Sequence, residues 1–304
     1  MTDIAPAVAE LRTLRDFLRY AISRFQEARL VYGHGTTNAL DEAAFIILES
    51  LHLPIDNLEP FLDARLLESE RMRLADLIGR RVSTRKPASY LLNKAYVKGI
   101  PFYVDERVIV PRSFIGELLF TDLFGGGTGA LVEDAASVER VLDLCTGSGC
   151  LAILAAKVFP NARVDAVDLS ADALEVARRN VEDSGDADRI KLHRGDLFGP
   201  LGKKRYDLII TNPPYVGADV MDALPPEYAQ EPELALAGGP DGLDIVRRIL
   251  DEAPAHLTAH GGIICEIGED REILESEYPH LPFMWLDTEE SAGEVFWLPA
   301  GAFG

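Results

Sequence analysis

The first third of the chain carries apolar residues at helical spacing. Between residues 6 and 92 they recur every three or four positions, which places them on one face of an α-helix. Further helices are predicted over 43–51, 66–81 and 87–92. These patterns predict a small helical domain over residues 1–94 that packs its apolar side as a core and offers its outer face to a binding partner. One amphipathic helix is predicted from the stripe Val8, Leu11, Leu14, Leu18, Ile22 and Phe25.

The period of the apolar pattern changes to two after residue 94. Apolar runs at 96–97, 102–104 and 108–110, with turns at Gly99 and Asp105–Glu106, predict a β-hairpin linker over 95–112. From Ser113 onward apolar runs alternate with helical stretches, which is typical of a doubly wound α/β domain, here 113–304. The last two predicted strands have no helix between them, so we expect an antiparallel hairpin at the sheet edge. Strands are predicted near 141–144, 163–167, 190–193, 207–211, 262–266, 283–287 and 294–298.

Composition and charge narrow the class of protein. The 304 residues are 47% hydrophobic, enough for a substantial core, and no apolar run reaches the length of a membrane-spanning helix. The net charge of −20 argues against a broad basic face, so we expect neither nucleic acid nor a membrane as a partner. The three cysteines show no paired or zinc-ligand spacing, so a reduced, cytoplasmic protein without a metal is predicted.

A loop of small residues follows the first strand of the predicted sheet. It runs over 143–149, and a helical pattern begins directly after it. Glycines let a backbone approach a ligand closely, and a new helix N-terminus offers free N–H groups. Asp168 ends the next strand about twenty residues after the glycines, where a carboxylate can bind both hydroxyls of a ribose. Asp196 and Leu197 follow another short apolar run and are candidates for holding an adenine ring.

Two cofactors fit this loop. Gly147, Gly149 and Ala152 match the dinucleotide fingerprint of nicotinamide-dependent dehydrogenases. A methyltransferase loop has an acid and then three glycines at every second position. In this chain Asp143 is followed by Cys145, Gly147 and Gly149, so the first glycine is replaced. The loop by itself leaves both cofactors open.

The sequence Asn212-Pro213-Pro214-Tyr215 directly follows the strand predicted over 207–211. The asparagine oxygen and a main-chain carbonyl can accept the two hydrogens of a substrate –NH2 group. The prolines shape the turn and donate no hydrogen bond, and the tyrosine ring offers a face to a planar group. Methyl transfer to nitrogen needs such a grip, whereas hydride transfer has no use for it. The combination therefore favours S-adenosylmethionine over NAD, although the motif alone also fits a plain turn.

These motifs resemble those of the HemK/Prm family of protein-glutamine methyltransferases. The resemblance rests on 143–149, 212–215, the helical N-terminal region and the segment 231–244, and it spans nearly the whole chain. It implies a class I S-adenosylmethionine-dependent methyltransferase fold, a doubly wound seven-stranded sheet preceded by a small helical domain and a β-hairpin linker. It implies catalytic roles for Asn212, Pro213, Pro214 and Tyr215. The implied cofactor-binding residues are Asp143, Cys145, Thr146, Gly147, Ser148, Gly149, Asp168, Leu169, Asp196, Leu197 and Asn212.

Two branches of this family differ after the hairpin. The release-factor branch usually has Pro-Arg-Pro, followed by an acid, a threonine and a glutamate, where this chain has Ser113 after Pro-Arg. Ser113, together with Cys145 and Cys150 beside the glycine loop, is similar to the branch that methylates a glutamine of large-subunit ribosomal protein L-three. Phe114 departs from that branch, in which a proline is expected. The implied partner is this basic protein before or during ribosome assembly, while RNA does not yet cover its charges.

Other functions remain open at this point. They are glutamine methylation of the GGQ motif of release factors, amino methylation of DNA adenine, and a non-enzymatic role in ribosome assembly. Arg112 and Glu117 either close the site or form an ordinary ion pair. Asp143 and Asp196 also suit caps or turns at strand ends.

Overall fold

The computed structural model describes residues 5–126, 129–288 and 291–304. These residues divide into two compact units, which are described separately. Unit 1 contains 5–95, 104–106 and 225–230, and unit 2 contains the other described residues. Most of the predicted hairpin, 96–103 and 107–112, therefore belongs to unit 2. Within the described ranges, no helix is both long and apolar enough to cross a membrane.

Unit 1 is helical. The stripe predicted as one helix is divided between two, because Thr13 begins a new helix with a capping box. Its hydroxyl accepts a hydrogen bond from the N–H of Asp16 at 3.2 Å, and the Asp16 carboxylate accepts one from the N–H of Thr13 at 2.9 Å. The helices are α1 (Ala5–Glu10), α2 (Leu14–Glu27), α3 (Ala39–Ser50), α4 (Glu68–Thr84) and α5 (Ala88–Leu92).

A buried ion-pair cluster explains why the distant segment 225–230 belongs to unit 1. Arg81 is fully buried, and its Nε donates to Glu42 Oε1 at 2.6 Å. Glu227, also fully buried, accepts a hydrogen bond from the N–H of Val31 at 3.0 Å and pairs with Arg85 at 3.1 Å. Carboxylates leave water only where charged or hydrogen-bonding partners replace it. The cluster therefore ties segment 225–230 to the helices.

The predicted hairpin is shorter than the sequence pattern indicated. Strands β1 (Ala95–Val97) and β2 (Ile100–Phe102) form a two-stranded sheet. Both residues of its turn, Lys98 and Gly99, have positive φ angles, as a tight two-residue connection requires. The run 108–110 was wrongly predicted as a strand. The N–H of Val110 donates to the carboxylate of Glu231 at 2.9 Å and so has no need of a strand partner.

Unit 2 contains the predicted seven-stranded sheet. Its strands are β3 (Arg140–Leu144), β4 (Arg163–Asp168), β5 (Ile190–Arg194), β6 (Tyr206–Thr211), β7 (Leu257–Glu266), β8 (Met284–Leu286) and β9 (Val295–Pro299). They lie in the order β5-β4-β3-β6-β7-β9-β8. β9 runs antiparallel to both of its neighbours, and the other described pairs are parallel. The doubly wound class and the terminal antiparallel hairpin are confirmed.

Helices cover both faces of this sheet, so successive side chains of a strand enter different cores. Val141 packs with the helix Cys150–Val158 on one face, whereas Leu142 and Leu144 pack with the helix Asp244–His256 on the other. Because β3 to β7 are parallel, the loops that follow them lie together at the carboxyl edge of the sheet. This edge is the usual ligand position in such sheets. The helices are α6 (Ile115–Leu118), α7 (Asp122–Gly125), α8 (Cys150–Val158), α9 (Ala171–Ser184), α10 (Ala218–Met221), α11 (Asp244–His256) and α12 (Arg271–Glu277).

Candidate active site

The glycine loop connects β3 to α8 by a left-handed path. Cys145, Gly147 and Gly149 have φ angles of 58°, 54° and 79°. Such angles suit glycine, and a residue with a side chain there costs roughly 1–2 kcal/mol. Cys145 replaces the first glycine of the expected pattern and nevertheless keeps the conformation that a glycine would adopt. The departure in sequence therefore leaves the backbone path of the loop intact.

Asp143 lies beneath this loop and holds it to the helix. Its Oδ2 accepts hydrogen bonds from the Thr146 hydroxyl at 2.5 Å and from the N–H of Ala152 at 3.0 Å. The side chain is fully buried, and burial raises the pKa of this carboxyl to about 7. Its place under the loop makes Asp143 a support for the loop backbone.

Two further acids stand at the ends of neighbouring strands. Asp168, at the end of β4, accepts hydrogen bonds from the N–H groups of Gly147 and Ser170, both at 2.8 Å, and burial raises its pKa. Asp196 follows β5 and pairs with Arg248 at 2.8 Å. Asp168 thus connects the glycine loop with β4, while Asp196 keeps an exposed carboxylate.

A cavity of about 150 Å³ unites most of the predicted cofactor residues. A second cavity of about 50 Å³ adjoins the glycine loop and shares Cys145, Gly147 and Asn212 with the first. Thr146 and Ser148 line the second cavity but not the first. The predicted residues that line the first cavity are Cys145, Gly147, Asp168, Leu169, Asp196, Leu197, Asn212 and Pro214.

Four predicted residues are not among those that line the two cavities. Asp143 and Gly149 support the loop, while Pro213 and Tyr215 belong to the Asn-Pro-Pro-Tyr turn but are not among the lining residues. Gly149 is packed closely, because a Cβ atom there would lie 3.3 Å from that of Ala177.

Asn212 occupies a central position, since it lines both cavities. Its side chain makes no hydrogen bond to the residues that the structure describes, and the carbonyl of Pro213 accepts none from them. The turn itself is held from behind: the N–H of Val216 donates to the carbonyl of Leu236 at 2.8 Å. At Gly242 a Cβ atom would lie only 2.2 Å from the carbonyl oxygen of Tyr215. The turn is therefore rigid, while two of its acceptor oxygens stay available.

The sequence did not identify several residues of the site. Residues 107–109, part of which was predicted as a strand, line the large cavity, and so do residues of the segment after Glu231. Glu266, at the end of β7, accepts a hydrogen bond from the Tyr215 hydroxyl at 3.1 Å. The similarity of segment 231–244 to the family was the available signal for the cavity wall. Nothing local marked Glu266, because its partners lie more than fifty residues away along the chain.

The role of Arg112, left open by the sequence, becomes clearer in the structure. Its guanidinium forms two hydrogen bonds to the buried carboxylate of Glu231, at 2.6 and 2.7 Å, and it lines the smaller cavity. Glu117 stands 3.9 Å from Lys98, and both side chains are well exposed. Arg112 is thus an ion-pair partner within the cavity wall, whereas Glu117 belongs to a surface pair of little energetic weight.

Several known proteins are similar to this chain. The methyltransferase small domain model matches residues 122–224. The ribosomal protein uL3 glutamine methyltransferase of Bradyrhizobium diazoefficiens is 62% identical, over 96% of this chain and 92% of that protein. The proteins of the same description from Bordetella pertussis and Burkholderia pseudomallei are 56% and 53% identical, each over 95% of both chains. Among solved structures, a methyltransferase from Pyrococcus furiosus matches with a TM-score of 0.48 and 17% identity, over 67% of this chain and 90% of that chain. On the strength of its similarity to the full-length relatives, the chain belongs to the ribosomal protein uL3 glutamine methyltransferase family.

Proposed function

We propose that this chain transfers a methyl group from S-adenosylmethionine to the side-chain amide nitrogen of a glutamine in ribosomal protein uL3, the large-subunit protein L-three. The observation that carries the proposal is Asn212, whose unengaged carboxamide lies where the two cavities meet. The names and the 53–62% identity of the relatives support the same substrate.

The residues of the large cavity fit S-adenosylmethionine. Gly147 lines both cavities, and a Cβ atom there would meet no protein atom within 4 Å, so the loop leaves space for a ligand. Asp168 would bind the ribose hydroxyls, and Asp196 with Leu169 and Leu197 would hold the adenine. Thr146 to Gly149 would face the methionine end through their backbone. Asp143, which is buried, would act on the cofactor by holding this loop rather than by direct contact.

The acceptor residues work by positioning. When bound, S-adenosylmethionine supplies the methyl group as a sulfonium electrophile. A glutamine amide nitrogen is a poor nucleophile, because its lone pair is delocalised into the carbonyl. The side-chain oxygen of Asn212 and the carbonyl of Pro213 accept its two N–H groups and aim the nitrogen, while Tyr215 packs on the amide plane. Pro214 adds no competing donor, and the surplus proton leaves to solvent after transfer.

The surface near the acceptor motif suits a basic protein. The parts of unit 2 that follow β6, residues 211–224 and 231–246, contain six acids and no lysine, arginine or histidine. Asp219, Asp222 and Glu233 of these segments are exposed. Negative charge at this position attracts a ribosomal protein whose own charge is positive. We propose that the enzyme captures uL3 in the cytoplasm before or during ribosome assembly, with the helices of unit 1 as a further substrate-binding surface.

The deciding experiment offers purified uL3, a release factor and duplex DNA side by side, with tritiated S-adenosylmethionine as the methyl donor. Label on a glutamine of uL3 alone is expected. Label on the release factor would overturn the substrate, and label on DNA would overturn the charge argument. Free uL3 is expected to be labelled faster than mature large subunits, so equal rates would contradict capture before assembly.

A variant series tests the acceptor grip directly. Asn212→Ala removes the accepting oxygen and should slow methylation by roughly 30- to 1,000-fold, which corresponds to about 2–4 kcal/mol of barrier for one aligning hydrogen bond. Asn161→Ala is the control, because Asn161 is an exposed residue that donates to the carbonyl of Ala136. Full activity of Asn212→Ala would refute the proposed mechanism.

A further inference from the structure

A buried carboxylate lies directly behind the acceptor motif. Glu266, the last residue of β7, is only 1% exposed. It accepts hydrogen bonds from the hydroxyl of Tyr215 at 3.1 Å, from the hydroxyl of Ser113 at 2.6 Å and from the N–H of Phe114 at 2.9 Å. These contacts satisfy both of its oxygens, as a buried carboxylate requires. Glu266 therefore joins the acceptor tyrosine to segment 113–114.

Contacts other than this hydrogen bond also restrict the position of Tyr215. A Cβ atom at Gly268 would lie 3.3 Å from its ring, so the ring packs closely against that backbone. Its carbonyl is covered by Gly242, and the following residue, Val216, is held by the carbonyl of Leu236. Because the main chain and one side of the ring are held, the bond to Glu266 determines how the ring is presented.

Ser113 extends the same arrangement to the wall of the smaller cavity. It lines this cavity together with Arg112 and Asn212. Its hydroxyl donates to Glu266 and accepts a hydrogen bond from the N–H of Ile115 at 3.2 Å, near the start of α6. One carboxylate thus orients both the acceptor tyrosine and the cavity wall.

We propose that Glu266 is a positioning residue for methyl transfer, which orients Tyr215 and makes its ring richer in electrons. The inference rests on the proposed function, in which Tyr215 packs on the glutamine amide. A phenol that donates to a carboxylate has a more negative ring face, and the amide nitrogen becomes positively charged as it gains the methyl group. An aromatic face attracts such a charge. Glu266 therefore acts through Tyr215 and contacts neither the cofactor nor the substrate.

The ionisation of Glu266 is compatible with this role. Burial raises the pKa of its carboxyl to about 7, while the hydrogen bonds from Ser113, Tyr215 and Phe114 limit the rise. The carboxylate form, which accepts all three bonds, is thus well populated in neutral solution.

The test compares Glu266→Gln and Tyr215→Phe, alone and combined, with Tyr206→Phe as the matched control. Tyr206 lies in β6, and its hydroxyl donates to Asp165 at 2.9 Å, so the control removes the same kind of bond away from the acceptor motif. Each site variant should lower kcat on uL3 by about tenfold or more, the loss expected for one hydrogen bond to a charged group. The double variant should be no slower than the slower single one, because both changes break the same link.

Cofactor affinity separates positioning from general damage. The dissociation constant for S-adenosylmethionine, measured by calorimetry, should stay within about twofold of wild type in all the variants. Unchanged kcat in either single variant, multiplying losses in the double variant, or an equal loss in Tyr206→Phe would overturn the proposal. Tyr215→Phe keeps the test valid even if Glu266→Gln does not fold. Failure of the proposed function is distinguishable, since the wild type itself would then leave uL3 unlabelled.

Discussion

Replacing Arg112 by alanine should destabilise unit 2 strongly, even though Arg112 is partly exposed. The guanidinium holds Glu231 by two hydrogen bonds of 2.6 and 2.7 Å, and the Glu231 side chain has no exposed surface. After the substitution, the carboxylate keeps the hydrogen bond from the N–H of Val110 at 2.9 Å and loses both bonds to the guanidinium. The variant therefore removes a bidentate charged partner from a buried carboxylate.

The expected loss follows from burial. Removing one partner of a fully buried ion pair costs about 3–5 kcal/mol. Arg112 is 24% exposed, so water can enter the space that it leaves and hydrate part of the charge. We therefore expect a decrease of roughly 2–4 kcal/mol in the free energy of unfolding. Adding Glu231→Gln should recover about half of this loss, because glutamine is neutral and still accepts the Val110 hydrogen bond.

Urea unfolding followed by tryptophan fluorescence can measure this change, since both tryptophans, Trp285 and Trp297, belong to unit 2. Arg178→Ala is the matched control, because Arg178 forms a 2.6 Å pair with Glu175 in which both side chains are about half exposed. The control should change stability by less than about 0.5 kcal/mol. A loss below about 1 kcal/mol for Arg112→Ala, or one equal to that of the control, would show that the burial argument is wrong.

Two further predictions concern the cofactor loop. Gly147→Ala should weaken S-adenosylmethionine binding more than about tenfold in calorimetry. Gly185 is the matched control, because it also has a positive φ and open space around an added Cβ. Both substitutions should lower stability by roughly 1 kcal/mol, but only Gly147→Ala should weaken binding. Equal binding by the two variants would contradict a role of the Gly147 loop in holding the cofactor. The raised pKa values of Asp143 and Glu266 favour the folded state in acid, and this contribution disappears as the pH rises towards about 7. The ionisation of each group should therefore lower the unfolding free energy by about 2 kcal/mol between about pH 5.5 and about pH 8. Asp143→Asn should remove the contribution of Asp143. An unchanged dependence of the unfolding free energy on pH in this variant would contradict the burial of Asp143.

The errors in the sequence predictions have local causes. The stripe from Val8 to Phe25 has continuous helical spacing, but the capping box at Thr13 divides it. The β-branched apolar run 108–110 resembles a strand, but a carboxylate 121 residues further along the chain accepts the hydrogen bond of the Val110 N–H. Apolar periodicity reports which face of a segment is buried and does not report which hydrogen-bond partner the backbone finds.

The sequence by itself determined the order of helices and strands, the antiparallel end of the sheet and the two motifs of the site. These features are local or periodic, because burial on one or both faces sets the apolar spacing and the glycine loop and the Asn-Pro-Pro-Tyr turn each occupy a few consecutive residues. Tertiary structure alone decided that Glu231 faces Arg112, that Glu266 supports Tyr215 and that Asp143 lies beneath the loop. A parallel sheet brings the ends of distant strands to one edge, so partners there are set by strand order and register, which no short stretch of sequence contains.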